Sequence, residues 1–408
     1  MNETLPPIAW LLYGDRSLAS SRLQGYLIDD ELRARGFRSR VAVAPPFPVK
    51  DVPWPVEAHG AAARVLGAHV VVFQKLGGRR AEALRDALAA AGAATVYVHC
   101  DDEPANELPL RCDAIVCSSR HLARCYEDRG AHTVTTIPDP AEAWIEPEAV
   151  NGTPKHPGRL RLVWIGYRRS WETVDRLRKL LAGRGLDDYE LVTVSNHPDA
   201  DVQWSPEAER SIVAEADIGV VPVRSDSSAL AKSSNRVVAL MAQGLPVVAD
   251  RLPAYEEVIV DGANGFLCDG VDDWVRALEA LRSAEVRRQV ARAGRESIDP
   301  RFRLSTIVDE WIDVFQRVAP AAAAPAEASS REERRLRAFL HAEAELTYAQ
   351  EGLGRNLRTH EVLTHVQRAL RAAAAGAAPR SQTRRIVGTL GAPVAARIRD
   401  ATRRRLGG

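Results

Sequence analysis

Residues 216–249 read ADIGVVPVRSDSSALAKSSNRVVALMAQGLPVVA. Ile218 to Pro222 and Pro246 to Ala249 are short apolar runs of strand length. Between them, Asn235 to Ala242 spaces its apolar residues as one face of a helix. A strand, a helix and a second strand within roughly thirty residues make the parallel crossover unit, which closes with a right hand.

The alternation continues outward from this unit. Leu160 to Ile165 and Glu190 to Ser195 read as strands, and Glu172 to Leu181, Pro206 to Ala214 and Asp272 to Leu281 as helices. One doubly wound sheet is therefore expected over residues 159–300. Upstream lie strand candidates at Ile8 to Tyr13, Ser39 to Ala44, His69 to Gln74, Thr95 to Cys100, Ala114 to Ser118 and Thr133 to Ile137. Helical patterns such as Ala19 to Arg35 and Arg79 to Ala91 separate them, giving a second such sheet over residues 1–150. Between the two series, Glu146 to Gly158 (EPEAVNGTPKHPG) is rich in Pro and Gly and carries no periodicity, which places the domain boundary there. The expected class is α/β, with two Rossmann-like domains whose strand ends face a shared cleft, the usual seat of ligands in such sheets.

Leu304 to Val318 forms one more helical pattern, and residues 301–319 are expected to pack back across the domains. An Ala/Pro/Ser run, APAAAAPAEASS, makes residues 320–330 a linker. Residues 331–408 then read as a helical extension, with patterns around Arg331 to Gln350 and His360 to Ala375. Its tail from Arg380 holds eight Arg against Asp400, a local +7. Such a tail suits association between copies, packing on the chain's own acidic face or contact with an anionic membrane surface. It has few aromatics to stack on bases, so nucleic acid is not an expected partner.

The 408 residues exceed what one hydrophobic core usually organises, about 250 to 300, which agrees with two domains. The apolar share of 46% and the charged share of 27% exclude collagen-like, coiled-coil and wholly disordered classes. Lys and Arg number 55 against 54 Asp and Glu, so no global field steers the chain to nucleic acid or membrane. None of the five cysteines forms a Cys-x-x-Cys pair. Cys112, Cys117 and Cys125 lack zinc spacing with a partnered His and are expected as buried reduced thiols. The start carries Glu3 and no basic segment, and no apolar run reaches 18 residues, so a cytoplasmic chain is expected.

Four ordered segments carry a family resemblance: VWIGYRRSWETVDRL from Val163, ADIGVVPVRSD from Ala216, KSSNRVVALMAQGLPVVA from Lys232 and EEVIVDGANGFLCDGVDDW from Glu256. Together they resemble the donor-binding domain of glycosyltransferases with the GT-B fold, most like glycosyltransferase family 4. The likeness is strong over about 120 residues, looser over the first 140 and absent from residues 320–408. It implies transfer of a sugar from a nucleoside-diphosphate donor, a GDP- or UDP-sugar, to an unidentified acceptor, with retention and with neither metal nor cofactor. The first domain would hold the acceptor. Two other classes stay open, a sugar-nucleotide epimerase on the same fold and a noncatalytic sugar-nucleotide-binding subunit.

The chemistry explains the residues. A departing nucleoside diphosphate is met by the unpaired N–H groups and positive dipole end of a helix start. Lys232, Ser233, Ser234 and Asn235 precede or open the helix that contains Arg236, so Ser/Asn capping and two cations fall where the resemblance puts the phosphates. Lys232 and Arg236 are the catalytic candidates here, with His99, which resembles the histidine that relatives set beside the transferred sugar. A histidine satisfied in the core is the alternative reading of His99. Gly166 permits close backbone approach, and either Arg168 or Arg169 would reach the diphosphate. Trp204 is a base-stacking candidate or an edge aromatic packed on a helix. The family's paired Glu positions are Ala231 and Ala239 here, a departure that bears on the nucleotide's ribose.

On the acceptor side, Gly14 to Arg22 resembles the loop that closes over sugar and diphosphate, with Arg22 as the contact. Lys75 directly follows an apolar strand and reads as an acceptor or phosphate ligand. Asp101 and Asp102 read as loop residues that touch the acceptor, because neighbouring strand-end side chains point apart and do not form a glycosidase pair. Glu256 and Glu257 read as surface charges. The sequon at Asn151 carries meaning only on secretion.

Overall fold

A computed structural model describes residues 5–101, 103–146, 155–156, 158–224, 229–319, 337, 340–345, 347–349 and 351. Its strands are β1 (Ile8–Leu11), β2 (Ser39–Val43), β3 (Val70–Gln74), β4 (Ala94–His99), β5 (Ala114–Cys117), β6 (Val134–Thr136), β7 (Leu160–Ile165), β8 (Tyr189–Ser195), β9 (Val202–Gln203), β10 (Ile218–Val221), β11 (Val247–Asp250) and β12 (Phe266–Cys268). They form two six-stranded sheets, ordered β2-β1-β3-β4-β5-β6 and β12-β11-β10-β7-β8-β9. The registered pairs are parallel, as between Trp164 and Thr193 or Val72 and Val96.

The helices between them are α1 (Ala19–Ser21), α2 (Leu27–Ala34), α3 (His59–Leu66), α4 (Arg79–Ala90), α5 (Leu108–Arg111), α6 (Arg120–Asp128), α7 (Trp171–Gly183), α8 (Pro206–Ala214), α9 (Asn235–Ala242), α10 (Pro253–Glu256), α11 (Val271–Leu281), α12 (Ala284–Ile298) and α13 (Leu304–Val318). None of the described helices is long and apolar enough to cross a membrane.

Helices cover both faces of a parallel sheet, so its strands become nearly continuous apolar runs, and β3 (VVVFQ) is buried at every position. The period of two still sorts the faces. On β7, Leu160, Leu162 and Trp164 enter a core with Val174 and Leu177 of α7 and Trp274 of α11. Val163 on the other face joins Val237 and Met241 of α9.

By packing density the chain divides into two compact units, Met1–Val98 with Pro104–Ala114 and Phe315–Gly408, and His99–Glu103 with Ile115–Val314. This division does not follow the boundary read from Glu146 to Gly158, because residues 115–146 group with the second unit. It also parts α13 at Phe315. In the first unit Trp10 of β1 is fully buried and meets Phe315 edge to face at 5.9 Å. Residues 340–345 and 347–349 are helical and sit in the first unit's core. Leu340 clusters with Trp54, Leu66 and Leu84, and its carbonyl accepts from Trp54 Nε1 at 3.1 Å. The part of the extension read as Arg331 to Gln350 is thus no free tail where it is described. The linker at 320–330, the pattern at His360 to Ala375 and the basic tail lie outside the described residues.

The helix expected over Ala19 to Arg35 is not uniform. A π segment, Arg22–Tyr26, separates α1 from α2. Gly25 in that wide turn lies so close to Leu12 that a Cβ would stand 2.5 Å from its Cδ2. Such π turns recur at functional sites.

Candidate active site

In each sheet the strand order reverses at one point, and the crevice outside the strand ends there is the natural ligand seat of the fold. In the first sheet it lies between β1 and β3, in the second between β7 and β10. Several of the candidates read from the sequence follow the strands at these two places, whereas His99 ends β4, Asp101 follows it and Trp204 follows β9.

At the first reversal Gly14 follows β1. A Cβ on it would meet Leu18 Cδ1 at 2.2 Å, so a larger residue here would push the Leu18 side chain aside. Arg22 opens the π segment and donates from Nη1 to the Arg16 carbonyl at 3.0 Å. Gln74, fully buried at the end of β3, accepts from Tyr13 N at 3.0 Å and from Ser21 Oγ at 3.2 Å, tying strand, loop and helix together. Lys75 comes next with φ 55°, and it is the one non-glycine residue with positive φ among the described residues. Its Nζ stands 5.2 Å from the Tyr13 ring centroid. A lysine held in the left-handed region stores of order 1 kcal/mol, a cost typical of functional positions.

His99 at the end of β4 is fully buried, with Nδ1 2.7 Å from the Tyr126 hydroxyl. That contact engages one of the two ring nitrogens. Asp102 lies outside the described residues. Asp101 pairs with Lys232, both within the second unit, so a residue read as an acceptor contact and one read as a phosphate ligand meet directly.

At the second reversal Gly166 ends β7 and donates to the Val194 carbonyl at 3.1 Å. A Cβ here would fall 2.2 Å from Cζ2 of the buried Trp164. Gly166→Ala is therefore expected to destabilise by roughly 1 to 3 kcal/mol through overpacking, measured by urea denaturation; an unchanged midpoint would mean the ring has room to shift. Arg168 and Arg169 follow in a short 3₁₀ turn, with exposed side chains that form no ion pair among the described residues. The turn is anchored through its backbone. Arg168 N donates to Asn196 Oδ1 at 2.9 Å, and Arg224 donates to the Arg169 carbonyl at 3.0 Å.

Trp171, the first residue of α7, stacks flat on His197 with centroids 4.1 Å apart and takes the edge of Trp164 at 5.9 Å. Asn196 and His197 were missed in the sequence. The signal for them is only the turn run Ser195-Asn196-His197-Pro198 after an apolar strand. Trp204 after β9 packs on the second sheet's core and donates from Nε1 to Glu209 of α8 at 2.6 Å, so its polar edge is engaged by the fold. Glu256 pairs with Arg251, and Glu257 accepts from Arg120 N at the start of α6, both structural uses.

Lys232, Ser233 and Ser234 lead into α9, where Asn235 is the first helical residue and Arg236 the second. Both serines are buried. Ser234 occupies the N-cap position, yet its side chain makes no capping hydrogen bond, which corrects the expectation of serine capping here. The cause is backbone geometry. Ser119, Ser205 and Ser283 cap α6, α8 and α12 from extended backbone, whereas Ser234 has ψ near 7°. Among the described residues the first amides of α9 thus have no side-chain acceptor. Arg236 forms no ion pair among the described residues; its charge opposes the burial that pushes the Tyr255 hydroxyl upward. Ala231 is buried and Ala239 half-buried, with no carboxylate at either place.

A cavity of about 760 Å³ also opens in the second unit, lined by Arg176, Pro222, Leu230, Asp250, Cys268 and Trp274 among others, and shares no residue with the predicted site. Asp250 is its hub, accepting from Val223 N at 2.8 Å and Trp274 Nε1 at 2.7 Å and pairing with Arg176. Burial pushes the Cys117 and Cys268 thiols well above their ordinary range, which keeps both protonated and inert.

Residues 149–283 match the family described as glycosyl transferases group 1. The match spans about a third of the chain. Within the matched stretch fall β7 to β12, the Gly166 turn and the Lys232 to Arg236 segment. Among curated relatives, the N-acetyl-α-D-glucosaminyl L-malate synthase of Bacillus anthracis is 32% identical over 83 residues, 19% of this chain and 21% of that protein. The D-inositol 3-phosphate glycosyltransferase of Xylanimonas cellulosilytica is 30% identical over 162 residues, 39% of this chain and 36% of that protein. The matched stretches therefore cover only about a fifth and a third of those relatives.

Solved structures extend the likeness beyond residues 149–283. A glycosyltransferase from Rickettsia africae superposes with a TM-score of 0.60 at 11% identity, over 78% of this chain and 99% of that one. HepE from Anabaena, solved with UDP and glucose, superposes with a TM-score of 0.60 at 13% identity, over 76% and 100%. At such identities the likeness shows the fold, and the fold is GT-B.

Proposed function

We propose that the chain is a glycosyltransferase that moves a sugar from a nucleoside-diphosphate donor to a small-molecule or glycan acceptor, with retention and without a metal. One observation carries this reading: in the matched stretch the N-terminus of α9 keeps its amides open between two cations, Lys232 and Arg236. Negative charge develops on the diphosphate as the bond from its oxygen to the anomeric carbon breaks, and dipole, lysine and arginine oppose that charge where it appears. The new bond forms from the acceptor oxygen to the same carbon, and the acceptor proton passes to the leaving phosphate. Arg168 and Arg169, exposed beside the Gly166 turn, supply further charge to the donor. UDP is the first candidate nucleotide, since HepE, of the same fold, was solved with it. The relatives' names, an N-acetyl-α-D-glucosaminyl L-malate synthase and a D-inositol 3-phosphate glycosyltransferase, favour a small anionic acceptor, for which Lys75 offers a charge.

The test is thermal unfolding with UDP, GDP, ADP and dTDP, with and without magnesium, for wild type and Lys232→Ala. A ligand at 100 times its Kd stabilises by about 2.7 kcal/mol, which a melting curve resolves. A magnesium-independent shift with one diphosphate, lost in the variant, is expected; no shift with any of the four overturns the reading. Ala231 and Ala239, where the family carries Glu, favour a second reading as a noncatalytic binding subunit. That reading predicts the same shift but no hydrolysis of the matching nucleotide sugar.

A further inference from the structure

The ion pair between Asp101 and Lys232 joins residues 131 positions apart, one in the loop after β4 and one three residues ahead of α9. The side chains are 47% exposed for Lys232 and 21% for Asp101. Pairs this accessible weight an equilibrium by only about two- to fivefold, so this one is a weak strut for the fold. It matters as a competitor. The same Nζ cannot hold the carboxylate and a phosphate at full strength, and a displaced carboxylate left beside a diphosphate repels it.

Building on the placement of the diphosphate at Lys232, we propose that Asp101 is a positioning residue acting through that lysine, an intramolecular rival that takes Lys232 back from the spent nucleoside diphosphate. The carboxylate lowers affinity for any ligand that uses Lys232 and speeds its departure. The start of α9 supports this role. Its open amides and Arg236 stay available whichever partner holds Lys232, so the site exchanges one contact instead of being dismantled.

The experiment is a double-mutant cycle read by calorimetric binding of UDP, GDP, ADP and dTDP at low and high salt, on wild type, Asp101→Asn, Lys232→Ala and the double variant, with Asp101→Ser as a second removal of the charge. The expected result is two- to fivefold tighter binding of one diphosphate, with slower release, in both Asp101 variants. The gain should vanish in the Lys232→Ala background and shrink as salt screens the pair. Equal or weaker binding in the Asp101 variants overturns the proposal, and so does a gain that survives without Lys232. Failure of all four nucleotides to bind any of the proteins instead overturns the placement of the diphosphate on which it rests.

Discussion

Lys232→Ala is expected to lower turnover by two to three orders of magnitude while leaving the unfolding midpoint unchanged. Removing one preorganised donor that faces developing charge costs about 3 to 4 kcal/mol in other enzymes. In the proposed placement Lys232 faces the bond that breaks, so the loss should fall on kcat more than on KM, because the diphosphate carries more charge in the transition state than in the bound donor. The amides of α9 and the Arg236 guanidinium remain in the variant and keep activity above zero. The fold should not notice, since the side chain is half exposed and its pair with Asp101 is accessible. Release of nucleoside diphosphate from the nucleotide sugar, followed continuously, measures the effect, and Lys232→Arg should restore part of it. A rise in KM at constant kcat would show that Lys232 only holds the donor.

The second large effect is on stability. Leu340→Ala should destabilise by about 2 to 4 kcal/mol, lowering the melting temperature by roughly 5 to 10 °C. Leu340 is 3% exposed and lies in the core that contains Trp54 and Leu84. The same helical segment is tied down twice more, by Thr347 Oγ1 donating to the Pro53 carbonyl at 2.8 Å and by Tyr348 meeting Phe47 edge to face at 6.3 Å. Calorimetry of the full chain reads the shift. No change would mean that the segment rests on the surface without contributing to the core.

Much of the fold was legible because it is written in short-range pattern. Each of the ten strand runs, from Ile8 to Tyr13 through Pro246 to Ala249, contains a strand, since apolar runs bounded by turns have few other uses in an α/β chain. The two strands not foreseen are marginal. Val202–Gln203 has two residues, and Phe266–Cys268 has three, wedged between Asn264-Gly265 and Asp269-Gly270, where turn signals outweigh the run. The π segment at Arg22 was invisible because its cause, Leu12 against Gly25, is tertiary.

The site was legible to the extent that topology fixes it. Gly14, Lys75, Gly166 and Lys232 all follow strands at the two reversal points. Three features were not legible. Ser234 fails to cap because its own dihedrals forbid it, Trp171 at the start of α7 stacks on His197 in the loop after β8, and Asp101 reaches Lys232 over a distance in sequence that no local pattern spans.

The first unit is discontinuous in sequence, with Ile115–Val314 of the second unit inserted before Phe315. Trp10 meets Phe315 and Trp54 meets Leu340, so each of these early aromatics is made roughly three hundred residues ahead of its partner. During synthesis the residues of the second unit are complete before those of the first. The apolar surfaces around Trp10 and Trp54 are therefore the ones a nascent chain must keep from aggregating until Phe315 and Leu340 have emerged.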